Sequence, residues 1–459
     1  NVDRLASEGM LFTDAYCHPK CGPTREAFQS GQYPFRNGVI GKVSQVHAKG
    51  EFLPDHPSVS AILNSAGYRT GTFGKTNPED YDEMFDTNNG QDYYRESVAY
   101  HLDGVDSTIH FDPPIYSQTP IMNRALNFME QSVAEGKPFF CYIPINLPHV
   151  PLQASPKLLR EKNFPWIHPT EDTLKLAEYQ AANPGKDLKD LLAEIENFVP
   201  QTETYLDMND HIDRYVGDVL AKLDALGIDD NTLVLFSGDN GSASFQTRLR
   251  VWDPVSNSYR SIDGSKDAYG DGGGRVPFIL SWPAKVAGGQ RINHLVDFTD
   301  LIPTFAELAG AELPSQFIYD GHSIAPLLMG SPNFTPKEYI LVQRGPIYWI
   351  RNDDYRMDYD ATFYDYSDAP FSMTALDTAS LTPEQQTAHD RLDYLLNEQL
   401  DPKNGINYEA ASDLWMDLPY YTWKRQYWSQ YNDIGLTSIS GDHADPDADG
   451  WPNLFEMAF

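Results

Sequence analysis

The stretch YCHPKCGPTREAFQSGQYPFRNGV, residues 16–39, carries the reading on which the fold turns. It sets a thiol, Cys21, beside the Gly22-Pro23 turn, followed by Arg25 and the helix-compatible run EAFQS that Gly31 closes. A cysteine where a turn enters a helix gains from the positive end of the helix dipole, and Arg25 adds a further positive charge. The other reading of the same residues is a structural cysteine buried beside a turn. The rest of the chain has to choose between them.

Working outward, helices and strands alternate. VDRLASEGM reads as an amphipathic helix and SVSAILNSAG as another that stops at Gly67. TGTFG (70–74) is a short strand, followed by an Asn-, Asp- and Tyr-rich loop from about 77 to 115. A helix over 119–135 leads into PFFCYIPI (138–145), a strand expected to be buried on both faces. Between Tyr205 and Leu226, Ile212, Val216, Val219, Leu220 and Leu223 recur at helical spacing and predict a core-facing stripe. TLVLFS (232–237) and VPFILSW (276–282) are two more continuous apolar strands. The alternation predicts an α/β sheet covered by helices on both faces. Past about residue 330, EYILVQ, IYWIR and TFYDYS read as antiparallel strands, followed by the helix TPEQQTAHDRLDYLLNEQL. The expected division is a main domain over 1–330, a smaller α+β unit over 331–400, and a linker or docking tail over 401–459.

Composition narrows the partners. With 459 residues, 41% hydrophobic and 13% aromatic, the chain can bury a large core. Its net charge of −32 opposes binding to nucleic acid or to anionic membranes, and no apolar run is long enough to span a bilayer. An anionic substrate would therefore require the few basic residues to gather in one pocket. Cys17, Cys21 and Cys141 make neither a disulfide framework nor a zinc site. The chain opens at Asn1 without a targeting segment and ends at Phe459 inside what reads as an unfinished motif, so both ends are expected to be cut.

Two segments read as metal chemistry. Ser237-Gly238-Asp239-Asn240-Gly241 follows the strand TLVLFS directly, where ligands of open α/β sheets bind. Asp239 and Asn240 offer a carboxylate and an amide oxygen suited to Ca²⁺; the alternative is an ordinary turn. Near the end, Asp445, Asp447, Asp449, Gly450, Asn453 and Glu456 follow the spacing of a calcium loop, with acidic residues at positions 1, 3, 5 and 12 and glycine at 6. An acidic tail without a site is the alternative there.

CGPTR and SGDNG, with four other segments in order, resemble the type I sulfatases of the alkaline phosphatase superfamily. CGPTR resembles the signature whose cysteine is oxidised to formylglycine, and SGDNG resembles the motif whose Asp and Asn bind the active-site Ca²⁺. GYRTGTFGK, NLPHVPL and KDAYGDGGGRVPFILSWP resemble the segments that carry the sulfate-facing residues, here Lys75, His149 and Lys266. HLVDFTDLIPTFAELAG and the following DGHSIAPLL resemble the helix and closing segment of that catalytic domain. The resemblance spans roughly residues 1–400. It implies an alkaline-phosphatase-like mixed sheet flanked by helices, with a smaller C-terminal subdomain, and a sulfuric ester hydrolase.

The resemblance also implies roles. Cys21, as formylglycine hydrate, supplies the nucleophile; Arg25 and Lys75 hold its alkoxide; Lys75 and Lys266 face the sulfuryl oxygens; His149 and Lys266 serve the leaving oxygen. Arg275 is expected to be structural, and His18 lines the pocket without an assigned role. Two departures stand out. The family takes two further metal-binding aspartates from an opening strand upstream of the segment matching Asn1, and Asn77 occupies the place of a histidine two residues after the lysine. The implied partners are a sulfated glycan or small molecule and a formylglycine-generating enzyme, and the implied location is periplasmic or secreted. The rival readings are a phosphonate monoester or phosphodiester hydrolase of the same superfamily and a non-catalytic binder of sulfated glycans.

Overall fold

The computed structural model describes residues 1–39, 56–75, 93–102, 105–243, 250–253, 256–262, 264–268, 270–345 and 347–400. Asn77 and the whole of 401–459, with Asp445, Asp447, Asp449, Asn453 and Glu456, lie outside them.

A mixed four-stranded sheet runs in the order Gln290–Ile292, Met10–Phe12, Phe278–Ser281, Val234–Ser237. Met10–Phe12 pairs antiparallel with Phe278–Ser281 and parallel with Gln290–Ile292. Phe12, Phe278 and Leu280 enter one buried cluster with Ala27 and Phe28 of the helix Cys21–Ser30 and with Leu301, Ile302 and Ala306 of the helix Leu301–Ala309. Full burial of a side chain such as Phe278 contributes about 1.5–3 kcal/mol, so this cluster fixes where the thiol-bearing helix lies on the sheet.

A second four-stranded sheet has the order Val105–Tyr116, Tyr94–Leu102, Arg69–Thr72, Phe139–Tyr142. Its long hairpin corrects the expected loop (77–115) where it falls on Tyr94–Leu102 and from Val105 onward; residues 77–92 lie outside the described residues. Tyr, Val and Ile recur from Tyr94 to Tyr116 as strands require, but the interspersed Asp and the Pro113-Pro114 pair read as loop chemistry. Phe139–Tyr142 is also half-buried along its whole length, not buried on both faces. It is an edge strand among the described residues, bonded only to Arg69–Thr72. The helix Gln201–Leu226 buries Thr204, Met208, His211, Tyr215 and Leu223, whereas Ile212, Val216 and Val219 of the expected stripe are half-buried.

The C-terminal subdomain is a five-stranded antiparallel sheet in chain order: Ile340–Arg344, Ile347–Arg351, Tyr355–Asp358, Phe363–Asp365 and Thr374–Ala375. The helix Pro383–Tyr394, started by a Thr382/Gln385 capping box, packs Leu392 into its core. Tyr33 and Phe35, just past the thiol-bearing helix, insert into that same core. Lys337, buried, joins the units by donating to Asp297 at 2.6 Å and Asp300 at 2.9 Å, while the Tyr33 hydroxyl donates to Asp297 at 2.8 Å. Among the described residues no helix is long and apolar enough to cross a membrane.

Candidate active site

Cys21 is the first residue of the ten-residue helix Cys21–Ser30. The Thr24 hydroxyl, 3.0 Å from His18 O and 3.1 Å from Lys20 O, ties the approach loop to the first turn. At the far end Gly31 takes the left-handed conformation, φ 67°, and caps the helix through its N–H to Ala27 O. The dipole of this helix points its positive end at the Cys21 sulfur.

Lys75 and the Asp239–Asn240 pair arrive from the ends of strands. Arg69–Thr72 leads to Lys75, whose Nζ lies 3.3 Å from Cys21 Sγ. The approach needs Gly74: its φ is +125°, and a Cβ there would meet Pro144 O at 2.4 Å. Lys75 N–H donates to that same stretch at Pro144 O, 2.6 Å away. Val234–Ser237 leads to Asp239 and Asn240. Here a Cβ on Gly241 would lie 1.7 Å from Gly272 O, so only glycine lets this loop pack against the segment after Lys266.

Arg25, one helical turn beyond the thiol, reaches Asp239 Oδ2 with Nε at 2.8 Å and Nη2 at 2.6 Å. Its Nη1 donates to the backbone oxygen of Lys75 and lies 3.5 Å from the Tyr142 hydroxyl. One guanidinium thus joins the thiol helix, the lysine turn and the Asp239 loop. Lys266 is held by its N–H to Ser242 O at 2.8 Å, and Asp267 N–H donates to Pro19 O at 2.7 Å. Lys20 adds an ion pair with Asp267 at 3.1 Å. In a chain of net charge −32, Arg25, Lys75 and Lys266 all act electrostatically on the Cys21 sulfur.

That clustering separates the three thiols. Burial works to raise the Cys21 thiol, but Lys75 leads Lys266 and Arg25 in outweighing it, and the opposing charge of Asp239 as well. The net effect sets Cys21 below the usual thiol range. Burial alone pushes Cys141 up, and burial followed by the charge of Asp239 pushes Cys17 up. Of the three thiols, Cys21 is thus the one whose thiolate form is favoured, while burial disfavours it at Cys17 and Cys141. Asp239 is likewise drawn below the usual carboxylate range: burial opposes its charge, and Arg25, Lys75 and Lys266 overcome that.

His149 sits in the loop after Phe139–Tyr142, where the buried Tyr93 hydroxyl lies 2.8 Å from His149 O and 3.0 Å from Asn146 O. Its Nδ1 is 2.7 Å from Val150 O, which can only accept, so the neutral ring carries its proton on Nδ1. Burial, with Lys266 and Lys75, lowers it to about 4. The imidazole is neutral near pH 7, with Nε2 as its basic atom.

Asn240 Oδ1 is buried without a hydrogen-bond partner. Leaving such an oxygen unpaired costs about 1–3 kcal/mol. Arg25 grips only Oδ2 of the neighbouring Asp239, so Oδ1 lies outside that fork. An orphan amide oxygen beside a carboxylate fits a hard cation. Among the described residues no group of three or more His, Cys, Asp and Glu side chains converges as a metal site. Asp239 and Asn240 thus offer two oxygens to such a cation, not a complete shell.

His18, expected to line the pocket, has its ring tied towards the C-terminal subdomain instead of to any of the groups around Cys21. It is buried, with Nδ1 accepting from Gln343 N at 3.2 Å, and burial lowers it to about 4. Arg275 donates to Thr13 O and pairs with Asp14 at 3.2 Å, away from the thiol. Sequence reasoning missed Tyr142, which abuts Arg25, and Tyr93, which pins the His149 loop. No local motif marks either.

The Sulfatase family model matches residues 1–311. N-acetylgalactosamine-6-sulfatase of Canis lupus familiaris is 24% identical over 462 residues, covering 91% of this chain and 78% of that protein. The Rattus norvegicus protein of the same name is 27% identical over 362 residues, covering 72% of this chain and 60% of its own length. The chain thus spans about three-fifths to four-fifths of these relatives. In fold it is similar to Ps i-CgsB, solved in complex with k-i-k-neocarrahexaose, with a TM-score of 0.59, 23% identity, and coverage of 88% of this chain and 87% of that one. The ordered motifs, the mixed sheet and the family match over residues 1–311 agree, and the chain belongs to the sulfatase family, the sulfuric ester hydrolases of the alkaline-phosphatase-like fold.

Proposed function

We propose that this chain hydrolyses sulfate monoesters, that Cys21 is the position matured to formylglycine, and that the sulfate is carried by a carbohydrate. The observation that carries the reading is the convergence of Lys75 and the Arg25–Asp239 pair on the one thiol whose ionisation is favoured. The sugar substrate draws support from the relatives, two of which are named for a sulfated amino sugar, and from the carbohydrate bound to Ps i-CgsB.

The chemistry needs a nucleophile in line with the S–O bond, cations on the sulfuryl oxygens and a proton for the departing alcohol. A formylglycine at position 21 would supply the nucleophilic oxygen of its hydrate and a second hydroxyl through which sulfate could be released. Asp239 and Asn240 would hold Ca²⁺, which would supply Lewis acidity. Lys75, 3.3 Å from the position 21 side chain, places its ammonium where negative charge gathers during attack. Arg25 keeps Asp239 ionised and holds the lysine turn through Lys75 O. Lys266 faces the sulfate and gives the proton or positive charge that the leaving oxygen needs. His149, neutral with Nδ1 committed to Val150 O, leaves Nε2 as an acceptor for a hydroxyl of the substrate, so the sulfuryl and leaving oxygens take their hydrogen bonds from the lysines.

A formylglycine-generating enzyme is the maturation partner in this reading, and a periplasmic or secreted location supplies calcium. The decisive experiment is the mass of the tryptic peptide spanning Cys21 after co-expression with such an enzyme. Loss of two hydrogens and sulfur with gain of one oxygen supports the reading. An unmodified thiol, with a control sulfatase converted in the same cells, removes the nucleophile.

A further inference from the structure

We propose that one loop of the C-terminal subdomain, residues 366–372, positions Lys266 by gripping both ends of the segment 260–271 that carries it. The proposal rests on the reading of Lys266 as a sulfate-facing group.

At the upstream end, Arg260 closes the strand pair Arg250–Asp253 and Ser258–Ser261. Its Nη1 and Nη2 donate to Asp368 Oδ1 and Oδ2 at 2.9 and 2.7 Å, a bidentate fork, and its guanidinium carbon lies 4.3 Å above the Phe371 ring. The fork fixes direction as well as distance, which a single point charge does not. Asp368 is itself oriented by the Ser372 hydroxyl at 2.5 Å. Arg260 and Ser372 hold its carboxyl down at about 2, so the pair stays ionised across the working range. At the downstream end, the buried Tyr366 hydroxyl donates to Asp271 Oδ2, and Asp271 is buried too. Tyr366 is in turn seated under the guanidinium of Arg351, 4.7 Å from its ring centre.

Between these grips the described residues of 262–270 form neither helix nor strand. What holds them from below is the Lys266 N–H to Ser242 O and the Asp267 N–H to Pro19 O. The same short stretch therefore touches the loop after Asn240 and the residue two before Cys21. Any drift of it moves the Lys266 ammonium relative to both. Misplacement of a catalytic group by about 1 Å can cost on the order of a hundredfold in rate. Beside these floor contacts, to which the Lys20–Asp267 ion pair adds, the irregular segment takes a side grip at each end from the seven residues 366–372. This gives the C-terminal subdomain a task at the reaction centre although none of its own side chains contacts Cys21 among the described residues. Arg260, Asp368, Tyr366 and Asp271 are positioning residues.

The test is a cycle on inorganic sulfate, which needs no turnover. The full chain, matured by co-expression, is compared by calorimetry with Arg260→Ala, Lys266→Ala and the double variant, and kcat and KM are measured for Arg260→Ala. Arg260→Ala should weaken sulfate about tenfold and lower kcat by a similar factor. Adding it to Lys266→Ala should weaken sulfate no further, because the grip acts through that lysine. Reversing the pair, Arg260→Asp with Asp368→Arg, should recover most of the loss. Full additivity in the cycle, or unchanged sulfate binding in Arg260→Ala, overturns the proposal. Should the alanine variants fail to fold, Arg260→Lys and Tyr366→Phe serve, each expected to lose severalfold; wild-type affinity in both overturns it equally. The two readings separate cleanly. Unchanged sulfate affinity in Lys266→Ala sinks the role given to that lysine and the grip with it, whereas a Lys266 loss without an Arg260 loss sinks the grip alone.

Discussion

Arg25 binds Asp239 through two nitrogens on a single carboxylate oxygen, Nε at 2.8 Å and Nη2 at 2.6 Å from Oδ2. Because both contacts fall on one oxygen, the arginine neutralises the aspartate without occupying Oδ1. The same guanidinium reaches Lys75 O and Tyr142. It therefore assembles the site and tunes its charge together.

A lysine cannot do both jobs, since its point charge lacks the planar fork. Arg25→Lys is expected to behave nearly like Arg25→Ala, each losing about a hundredfold or more in kcat/KM on a sulfate ester. Loss of Arg25 also removes the hydrogen-bonded partner of a partly buried carboxylate, leaving only Lys75 and Lys266 to offset its charge, at a cost of about 1–3 kcal/mol in unfolding free energy. Steady-state kinetics and urea titrations read the two effects. Activity of Arg25→Lys within threefold of the parent would show that charge alone suffices.

The contrast among the thiols makes a prediction on the unmatured chain. Cys21 is partly exposed and depressed by Lys75, Lys266 and Arg25, while burial raises Cys17 and Cys141. Brief treatment with iodoacetamide near pH 7 should alkylate Cys21 at least tenfold faster than the other two, since the thiolate is the reacting form. Peptide masses over a time course measure this. Lys75→Met should narrow the gap, because Lys75 leads the charges that favour the thiolate. Equal labelling of all three cysteines in the folded chain contradicts the account of the pocket's field.

On the same helix, Glu26 is fully buried, neither carboxyl oxygen has a partner, and burial raises it to about 8. A carboxyl raised above its unfolded value contributes stability that is present at low pH and lost as pH rises from about 4.5 through 8. Glu26→Met should therefore stabilise the fold at pH 8, by roughly 3 kcal/mol at 1.4 kcal/mol per pKa unit, allowing for relaxation around the charge. The advantage should shrink steadily towards pH 4.5. Denaturant midpoints of the two proteins at pH 5, 6.5 and 8 give the slope. A difference independent of pH would show that Glu26 is not held neutral.

What the sequence disclosed about this site follows from how each residue is positioned. Cys21 and Arg25 lie within one helical turn, so a five-residue motif records their relation. Lys75, Asp239 and Asn240 follow strand ends beside glycines that backbone packing forces, and those glycines mark them in the chain. Contacts between distant segments leave no such trace. Arg260 and Asp368 are 108 residues apart, Tyr366 and Asp271 are 95 apart, and neither pair is distinguishable in sequence from solvated surface charge or a packed tyrosine. The hairpin over Tyr94–Tyr116 is hidden for another reason. Its strands carry Asp and Pro at positions where turn chemistry and edge-strand chemistry use the same residues. His18 resembles a pocket residue through its nearness to Cys21 in the chain, but its Nδ1 is spent on Gln343 N, a partner 325 residues away.

The acidic loop from Asp445 to Glu456 carries a prediction independent of the catalytic pocket. Asp445, Asp447 and Asp449 alternate in sequence, and Gly450 and Glu456 fall at the sixth and twelfth positions, which in calcium loops of this pattern take the sharp turn and the closing ligand. Four carboxylates in this order suit Ca²⁺ over Mg²⁺, because the larger ion accepts more oxygens at looser geometry. A peptide covering 440–459 should bind terbium as a calcium surrogate, with emission sensitised by Trp451 inside the loop. Glu456→Gln should weaken binding by tenfold or more, since it removes the ligand that closes the shell with both oxygens. Asp442→Asn, which removes a carboxylate set outside the twelve positions, should bind as the parent does. If the two variants weaken equally, the tail attracts cations by bulk charge and the spacing of its acids has no coordinating role. Calcium titrations at 0.1 and 0.5 M salt separate these outcomes further, since diffuse attraction is screened and direct coordination largely persists.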